Sequence, residues 1–489
     1  MSENKFGDRR VYYNNFAAHL LNAYNPNMLY PDLPNRWSDE DWRGVIDMVA
    51  GFGFTAFEFW LAPRLFCREG IESEFGKAFA RQIRIATDYA HECGIEVIML
   101  CSLSTVGADW WTYCPNVKHE WDEVRALWNA WTRAFPELDG ISIFPGDPGA
   151  CSRNGCTAET YIDRSVEIAW LVREQLPRAE IEFGTWGPPF FGWGIIEGPE
   201  GWQGEFLPAY QHTAWTFEKD RAERAMEHLI KRLPDFPEPT SVAINLGFNP
   251  DGNPEGGMSA IPWAREIAKT HRIQTWDFSL TEGENAILPH YRFERLLEQR
   301  RRERAAAPYS GGICFTMTPL LNQLSLYESA QSFLHPDADP AHVAKDFYRR
   351  LFGPDGSALV RYLPLFEVVP DWGHYARIDL SREAYHREMK SLVACLRALA
   401  GKERDEWPFH PPVARYREEL LFFAHLFLDL SAPSPDYDAL WKRYWNRVYR
   451  IYDFLPEHVD PRPREATNRL VRYFRTNARP GGIPGKWSH

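Results

Sequence analysis

Gly140-Ile-Ser-Ile-Phe-Pro-Gly-Asp-Pro-Gly-Ala-Cys151 is a short apolar run that breaks off at a knot of turn residues. Its first half, with β-branched residues, reads as a buried strand, and Pro145, Gly146, Pro148 and Gly149 end it abruptly. One carboxylate, Asp147, is left beyond the strand, on a loop that prolines stiffen and glycines open to close approach. Loops of that kind, carried on a rigid scaffold, are where α/β proteins commonly mount reactive groups. A local reading competes: an Asp before a Pro also makes Asx-turns, in which the side chain only caps its own loop.

The same strand-then-loop pattern recurs on both sides of this stretch. Upstream, residues 11–19 are aromatic and strand-like. Ser38-Asp-Glu-Asp41 then puts an N-cap residue and acids ahead of Trp42, Val45, Ile46 and Val49, a helical spacing that stops at Gly51 and Gly53. A strand over 54–60, a helix over 75–93 closed by Gly94, a strand over 95–101 and a helix over 120–134 follow. Downstream come a helix over 157–175, a strand over 180–184, a helix over 217–232, a strand over 242–246, a helix over 260–269, a strand over 273–278, a helix over 291–304, a strand over 311–318 and a helix over 320–333. Strict alternation implies parallel pairing with right-handed crossovers, and eight units over this length fit a closed (β/α)8 TIM barrel. An open doubly wound sheet would usually carry a glycine fingerprint after its first strand, and none is present. Beyond Pro340 strand signals give way to helical patterns at 343–352, 381–399, 414–430, 437–454 and 464–475. The expected division is a catalytic barrel over 1–338 and an α-helical C-terminal domain over 339–489.

Composition narrows the function classes. The chain has 489 residues, 44% hydrophobic and 25% charged, which is ordinary for a globular protein, but 15% are aromatic and 20 are Trp. Several Trp stand in Gly- and Pro-rich loops, where flat apolar faces suit a sugar-binding cleft. The net charge is −12, and the one basic run, Arg300-Arg-Arg302, reads as a solvated helix face, so nucleic acid is not an expected partner. Neither an apolar leader segment nor a stretch of ~20 apolar residues occurs, which points to a cytoplasmic protein and away from a membrane. Eight Cys are scattered along the chain and do not suggest a disulfide framework. The close pair Cys151 and Cys156, on the loop after Asp147, fits a bound metal, a loop disulfide or plain thiols.

In a barrel of this kind the site lies where the strands end, so the carboxylates there become the candidates. They are Glu58 within the second strand, Asp147 after the fourth, and Asp277, Glu282 and Glu284 at and after the seventh. Glu58 stands among Phe57, Phe59 and Trp60; a carboxylate so embedded either pairs with a cation or has a raised pKa, and its structural reading is an ion pair inside the barrel. Glu282 and Glu284 have a solvated loop as their structural reading. Strands four and seven are expected on opposite sides of the barrel, so that acids at their ends face each other, as glycosidic bond cleavage by paired carboxylates requires. Trp186 and Trp193, with Phe190 and Phe191, form an aromatic loop suited either to stacking on sugars or to a loop mini-core.

The strand ending in Gly146-Asp-Pro-Gly-Ala-Cys151, then Trp276-Asp-Phe278, then Leu288-Pro-His-Tyr-Arg292 opening a helix, then the Gly311-Gly-Ile313 strand and Phe347-Tyr-Arg-Arg-Leu-Phe-Gly353, resemble α-glucuronidase and β-N-acetylhexosaminidase-like glycoside hydrolases. The likeness covers roughly residues 10–355 and lies in the order of the elements. In the hexosaminidase-like members an acidic pair ends strand four and serves substrate-assisted cleavage. Here Asp147 stands alone before Pro148, which speaks against N-acetyl participation. The uronidase-like members resemble this chain in their helical C-terminal domain, often used for dimerisation, which implies a possible homodimer. A uronic acid would want a cation for its carboxylate, and Arg64 or Arg292 would supply it. Trp276, His19 and His290 complete the substrate-binding candidates.

The leading expectation is an exo-acting glycosidase for short oligosaccharides or glycosides, with Asp147 as acid/base and no cofactor or metal. A metal-dependent sugar isomerase or epimerase is the second reading, with His19, Glu58, Asp147 and His212 as ligands, although no His-x-His or Glu-x-x-His signature is present. A carbohydrate-binding relative without paired acids is the third.

Overall fold

The computed structural model describes residues 8–13, 38–61, 66, 68–106, 111–144, 153–185, 219–244, 261–277, 289, 291, 293–316, 323–366, 381–436, 439–440 and 443. Eight parallel strands close into a barrel: β1 (Asp8–Tyr13), β2 (Ala56–Leu61), β3 (Glu96–Ser102), β4 (Gly140–Phe144), β5 (Glu180–Gly184), β6 (Thr240–Ile244), β7 (Arg272–Asp277) and β8 (Gly311–Thr316). Around the ring the order is β1-β8-β7-β6-β5-β4-β3-β2, and β1 seals the barrel by pairing with both β2 and β8. Between and after the strands run α1 (Asp39–Phe52), α2 (Glu74–Glu92), α3 (Lys118–Ala134), α4 (Ala158–Gln175), α5 (Lys219–Arg232), α6 (Ile261–Ile267), α7 (Phe293–Ala306) and α8 (Gln323–Leu334). This is the (β/α)8 architecture that the alternation predicts.

Several strands begin earlier than their apolar runs. β1 starts at Asp8 rather than Val11, β6 at Thr240 rather than Val242, and β7 at Arg272 rather than Ile273. The early residues include Arg10 and Ser241, which are buried, so a hydrophobic run is the wrong marker for a strand whose first turns belong to a polar interior. One expectation about geometry needs correcting. β4 and β7 stand three places apart around the ring, with β5 and β6 between them; the strand diametrically opposite β4 is β8.

The helices form where the sequence marks them. Ser38 caps α1 by accepting from the Asp41 amide at 3.1 Å, while Asp41 Oδ2 accepts from the Ser38 amide at 2.8 Å. At the other end Gly53 takes a left-handed conformation, φ 96°, which costs glycine nothing. Between these caps Trp42, Val45, Ile46, Met48, Val49 and Phe52 are buried against the barrel. β2 and β4 are buried along their whole length, as expected of parallel strands covered by helices outside and side chains inside.

The Arg run in α7 departs from its expected role. Arg300 is buried, with its guanidinium 3.9 Å from the centroid of the Phe333 ring, 2.7 Å from Glu303 Oε2 and 3.2 Å from Ser332 Oγ. Glu303 in turn accepts from Thr275 of β7. Arg301 alone of the pair whose exposure is described faces solvent, so the run supplies a seam between α7, α8 and β7 as well as a surface. Gly312 explains how close that seam is: a Cβ there would lie 2.2 Å from the Phe333 ring.

Past α8 the chain is helical, with α9 (Pro340–Phe352), a 3-10 stretch (Gly353–Phe366), α10 (Arg382–Ala398) and α11 (Val413–Leu430). The expected helix at 464–475 and most of that at 437–454 lie outside the described residues. An aromatic cluster joins this region to the barrel. Phe52 of α1 stacks on Trp407 at 5.0 Å, and Tyr327 of α8 meets both Phe52 and Phe347 edge or tilted at 5.5 and 5.6 Å. Gln323 and Gln331 of α8 donate to the backbone oxygens of His410 and Phe52. Among the described residues no helix is long and apolar enough to cross a membrane.

Candidate active site

Strand alternation sends every second side chain into the barrel, and the lower part of this interior is charged. Arg10 of β1 reaches Glu182 Oε2 at 2.7 Å, Glu180 Oε1 at 3.4 Å and Glu58 Oε2 at 4.0 Å. Ser142 of β4 donates to the second oxygen of Glu182 at 2.8 Å, and Glu180 also accepts from Ser241 and pairs with Arg272. Glu58 is 0% exposed. It therefore shares the Arg10 guanidinium with Glu182 and Glu180, three residues into β2, below the strand ends.

Above the charged layer the interior becomes aromatic. Trp60, Phe144 and Trp276 are buried near the C-terminal ends of β2, β4 and β7, with the buried Ser102 at the end of β3. The Phe144 and Trp276 rings meet at 4.8 Å with planes inclined 46°, although their strands are not neighbours. Gly184, at the end of β5, makes room for this: a Cβ there would stand 2.8 Å from the Phe144 ring. Side chains of β4 and β7 thus meet across the bore at the end from which their loops depart. Asp277 is the last residue of β7, in register with Cys314 of β8.

The other sequence candidates follow these strand ends. Asp147 lies just past Phe144, and Asp147, Glu282, Glu284, Trp186, Trp193, His19, Arg64, His290 and Arg292 are all outside the described residues, as are Cys151 and His212. Of the named candidates the described structure brings Trp276 and the backbone of Asp277 to the mouth and puts Glu58 beneath it. Sequence reasoning missed Arg10, Glu182 and Ser142. The signal existed in Glu180-Ile-Glu-Phe-Gly184, where acids alternate with buried apolar residues, marking the acidic face as the inward one. It also missed Cys114, whose sulfur lies 3.4 Å from that of Cys156. The described residues contain no cluster of three or more metal-ligating side chains.

The chain matches no protein-family model and no curated protein. Solved structures do match it along almost its whole length. An O-GlcNAc hydrolase of Thermobaculum terrenum, in variant form, aligns with TM-score 0.52 and 14% identity over 97% of this chain and 94% of its own. A GH138 enzyme targeting pectin rhamnogalacturonan II aligns with TM-score 0.51 and 9% identity, over 97% of this chain and 67% of its own. A third, CpGH84B, gives 0.51 and 10% over 96% and 77%. The fold is the one these solved structures share. At these identities the likeness establishes the fold, and it agrees with the resemblance drawn from the order of elements.

Proposed function

We propose that this chain is a glycoside hydrolase, acting at the end of short oligosaccharides or on simple glycosides, with Asp147 as general acid/base at the barrel mouth. The observation that carries this reading is the meeting of Phe144 and Trp276 across the bore. The rings carried by the strands that lead into Asp147 and Asp277 form an apolar floor there, and the C-terminal mouth is where barrels of this fold hold their chemistry. Two carboxylates and a flat aromatic surface are the equipment for splitting a glycosidic bond: one acid protonates the departing oxygen, and a second group attacks or activates water. Glu282 and Glu284, on the loop beyond β7, are the partners proposed for Asp147, ahead of Asp277, which follows the bore-facing Trp276 by one position; the aromatic loop of Trp186 and Trp193 is proposed to cover the sugar. If the sugar is a uronic acid, Arg64 or Arg292 pairs with its carboxylate.

The test is Asp147→Asn, assayed with two leaving groups. Asn keeps the shape and removes the proton, so turnover of a substrate with a sugar leaving group should fall ~10²–10⁴-fold. A nitrophenyl glycoside, whose departing oxygen needs no protonation, should lose much less. Near wild-type rates on both would reduce Asp147 to a loop cap. Equal, severe losses on both would make it a nucleophile or a sugar anchor, and the acid would then be sought at Asp277, Glu282 or Glu284.

A further inference from the structure

Two cysteines far apart in sequence share one buried point. Cys114 lies between β3 and α3, on the segment that follows a short antiparallel pairing of Thr105–Val106 with Trp111–Thr112. Cys156 lies between β4 and α4, next to the Thr157 that caps α4. Their sulfurs are 3.4 Å apart, and the residues are 0% and 5% exposed. Their meeting is built rather than incidental. Asn154 and Gly155 both adopt left-handed conformations, φ 52° and 71°, in the turn that delivers Cys156. Asn154 also donates its amide to the Cys114 sulfur at 3.6 Å, and its carbonyl accepts from Asn116 at 3.0 Å. On the other side the Cys114 amide donates to Glu120 Oε2 of α3 at 2.5 Å. Both thiols are therefore held by hydrogen-bonded segments that belong to two consecutive loops at the barrel mouth.

We propose that Cys114 and Cys156 are a reversible cross-link site, a dithiol that oxidises to a disulfide tying the third βα loop to the fourth, the loop that contains Asp147. A disulfide needs sulfurs ~2.05 Å apart, so the two must approach by roughly 1.4 Å. The co-reactant is a small-molecule disulfide of the glutathione class. Cys156, the more exposed, gives up its proton and attacks one sulfur of that disulfide, expelling one thiol. Cys114 then gives up its proton and attacks the Cys156 sulfur of the mixed disulfide, expelling the second thiol. Two protein S–H bonds and one S–S bond of the oxidant become one protein S–S bond and two small thiols, and two electrons pass to the oxidant. The four-residue pair Cys151 and Cys156, which the sequence suggests as partners, competes for the same sulfur.

The experiment exposes the folded full-length chain to oxidised glutathione, blocks remaining thiols with N-ethylmaleimide, and maps linked peptides by mass. The expected result is a Cys114–Cys156 peptide pair, a loss of two free thiols, and a melting temperature higher by on the order of 5 °C that dithiothreitol reverses. Cys151→Ser should keep the link and the shift. Cys114→Ser and Cys156→Ser should lose both. A map that joins Cys156 to Cys151, or that shows only glutathione on Cys156 of the wild-type chain, overturns the proposal, as does no change in thiol count. None of these readouts depends on the glycosidase reading. The wild-type map decides the question even if a serine variant fails to fold.

Discussion

Two of the places where the molecule buries carboxylates treat them in opposite ways. Inside the barrel, Glu58 and Glu182 sit in sealed surroundings together with Arg10, and Glu180 with Arg10 and Arg272, so cations offset the cost of removing the acids from water. At the seam between the barrel and the C-terminal helices, Glu328 of α8 is as deeply buried, and neither of its oxygens has a hydrogen-bond partner among the described residues. Among the described residues Tyr348 of α9 and Tyr416 of α11 are titratable groups near it. Desolvation pushes the Glu328 carboxyl well above its ordinary value of 4.5. The first site buys burial with counter-charge and the second with a proton. A buried acid in this fold is therefore no signpost to catalysis until its surroundings are known.

Removing the cation from the first site should have the largest effect. Arg10→Met takes from Glu58 and Glu182 the guanidinium they share and leaves Glu180 with the half-exposed Arg272, and a buried pair broken on one side typically costs ~3–5 kcal/mol. Urea unfolding would measure it, and a loss under 1 kcal/mol would mean that water or protonation already satisfies these acids. The second site predicts a pH profile. In the folded protein Glu328 keeps its proton, whereas in the unfolded chain it ionises above about pH 4.5. Unfolding then releases a proton, so stability falls as pH rises past 4.5, by up to ~1.4 kcal/mol per unit until the folded-state pKa is passed. Below pH 4.5 both states hold the proton and no stability is lost. Glu328→Gln should be more stable than wild type at pH 7 and should converge with it near pH 4. Parallel profiles across that range would show Glu328 to be charged in the folded state.

The same contrast explains what could be read in advance. The barrel was legible because strand and helix periods alternate eight times and because caps such as Ser38 with Asp41 and Gly53 mark where elements end. The lower interior was not. Its residues, Arg10, Ser142, Glu182 and Ser241, are polar, and polarity in a sequence argues for surface until closure of the sheet encloses it. Arg300 misled for the same reason, since three arginines in a row look solvated and only the packing of α7 on Phe333 buries the first. Cys114 and Cys156 are separated by a strand and a helix, so their contact exists only in three dimensions. The candidate site was legible as a set of strand ends, because position along a strand is a local property, while the pairing of acids across the mouth is not.

The smallest effect is expected at Glu58, and it bears on whether this residue belongs with the interior network or with catalysis. Its nearer oxygen is 4.0 Å from Arg10, a weak attachment beside the 2.7 Å bond from Arg10 to Glu182. Glu58→Gln keeps the volume and removes one of the three carboxylates that share Arg10. The attraction to Arg10 that is lost is offset by relief of repulsion with Glu182, so the change in stability should be ~1 kcal/mol or less. If the ion pair is its whole role, turnover should stay within a few-fold of wild type, because Arg10 remains anchored by Glu182. A fall of ~10²-fold or more in kcat with stability unchanged would move Glu58 into the catalytic set, since general acid–base work is lost when a carboxylate becomes an amide of the same shape. The two outcomes separate cleanly only because Gln fills the same space: a smaller residue would open a cavity and lower stability and activity together.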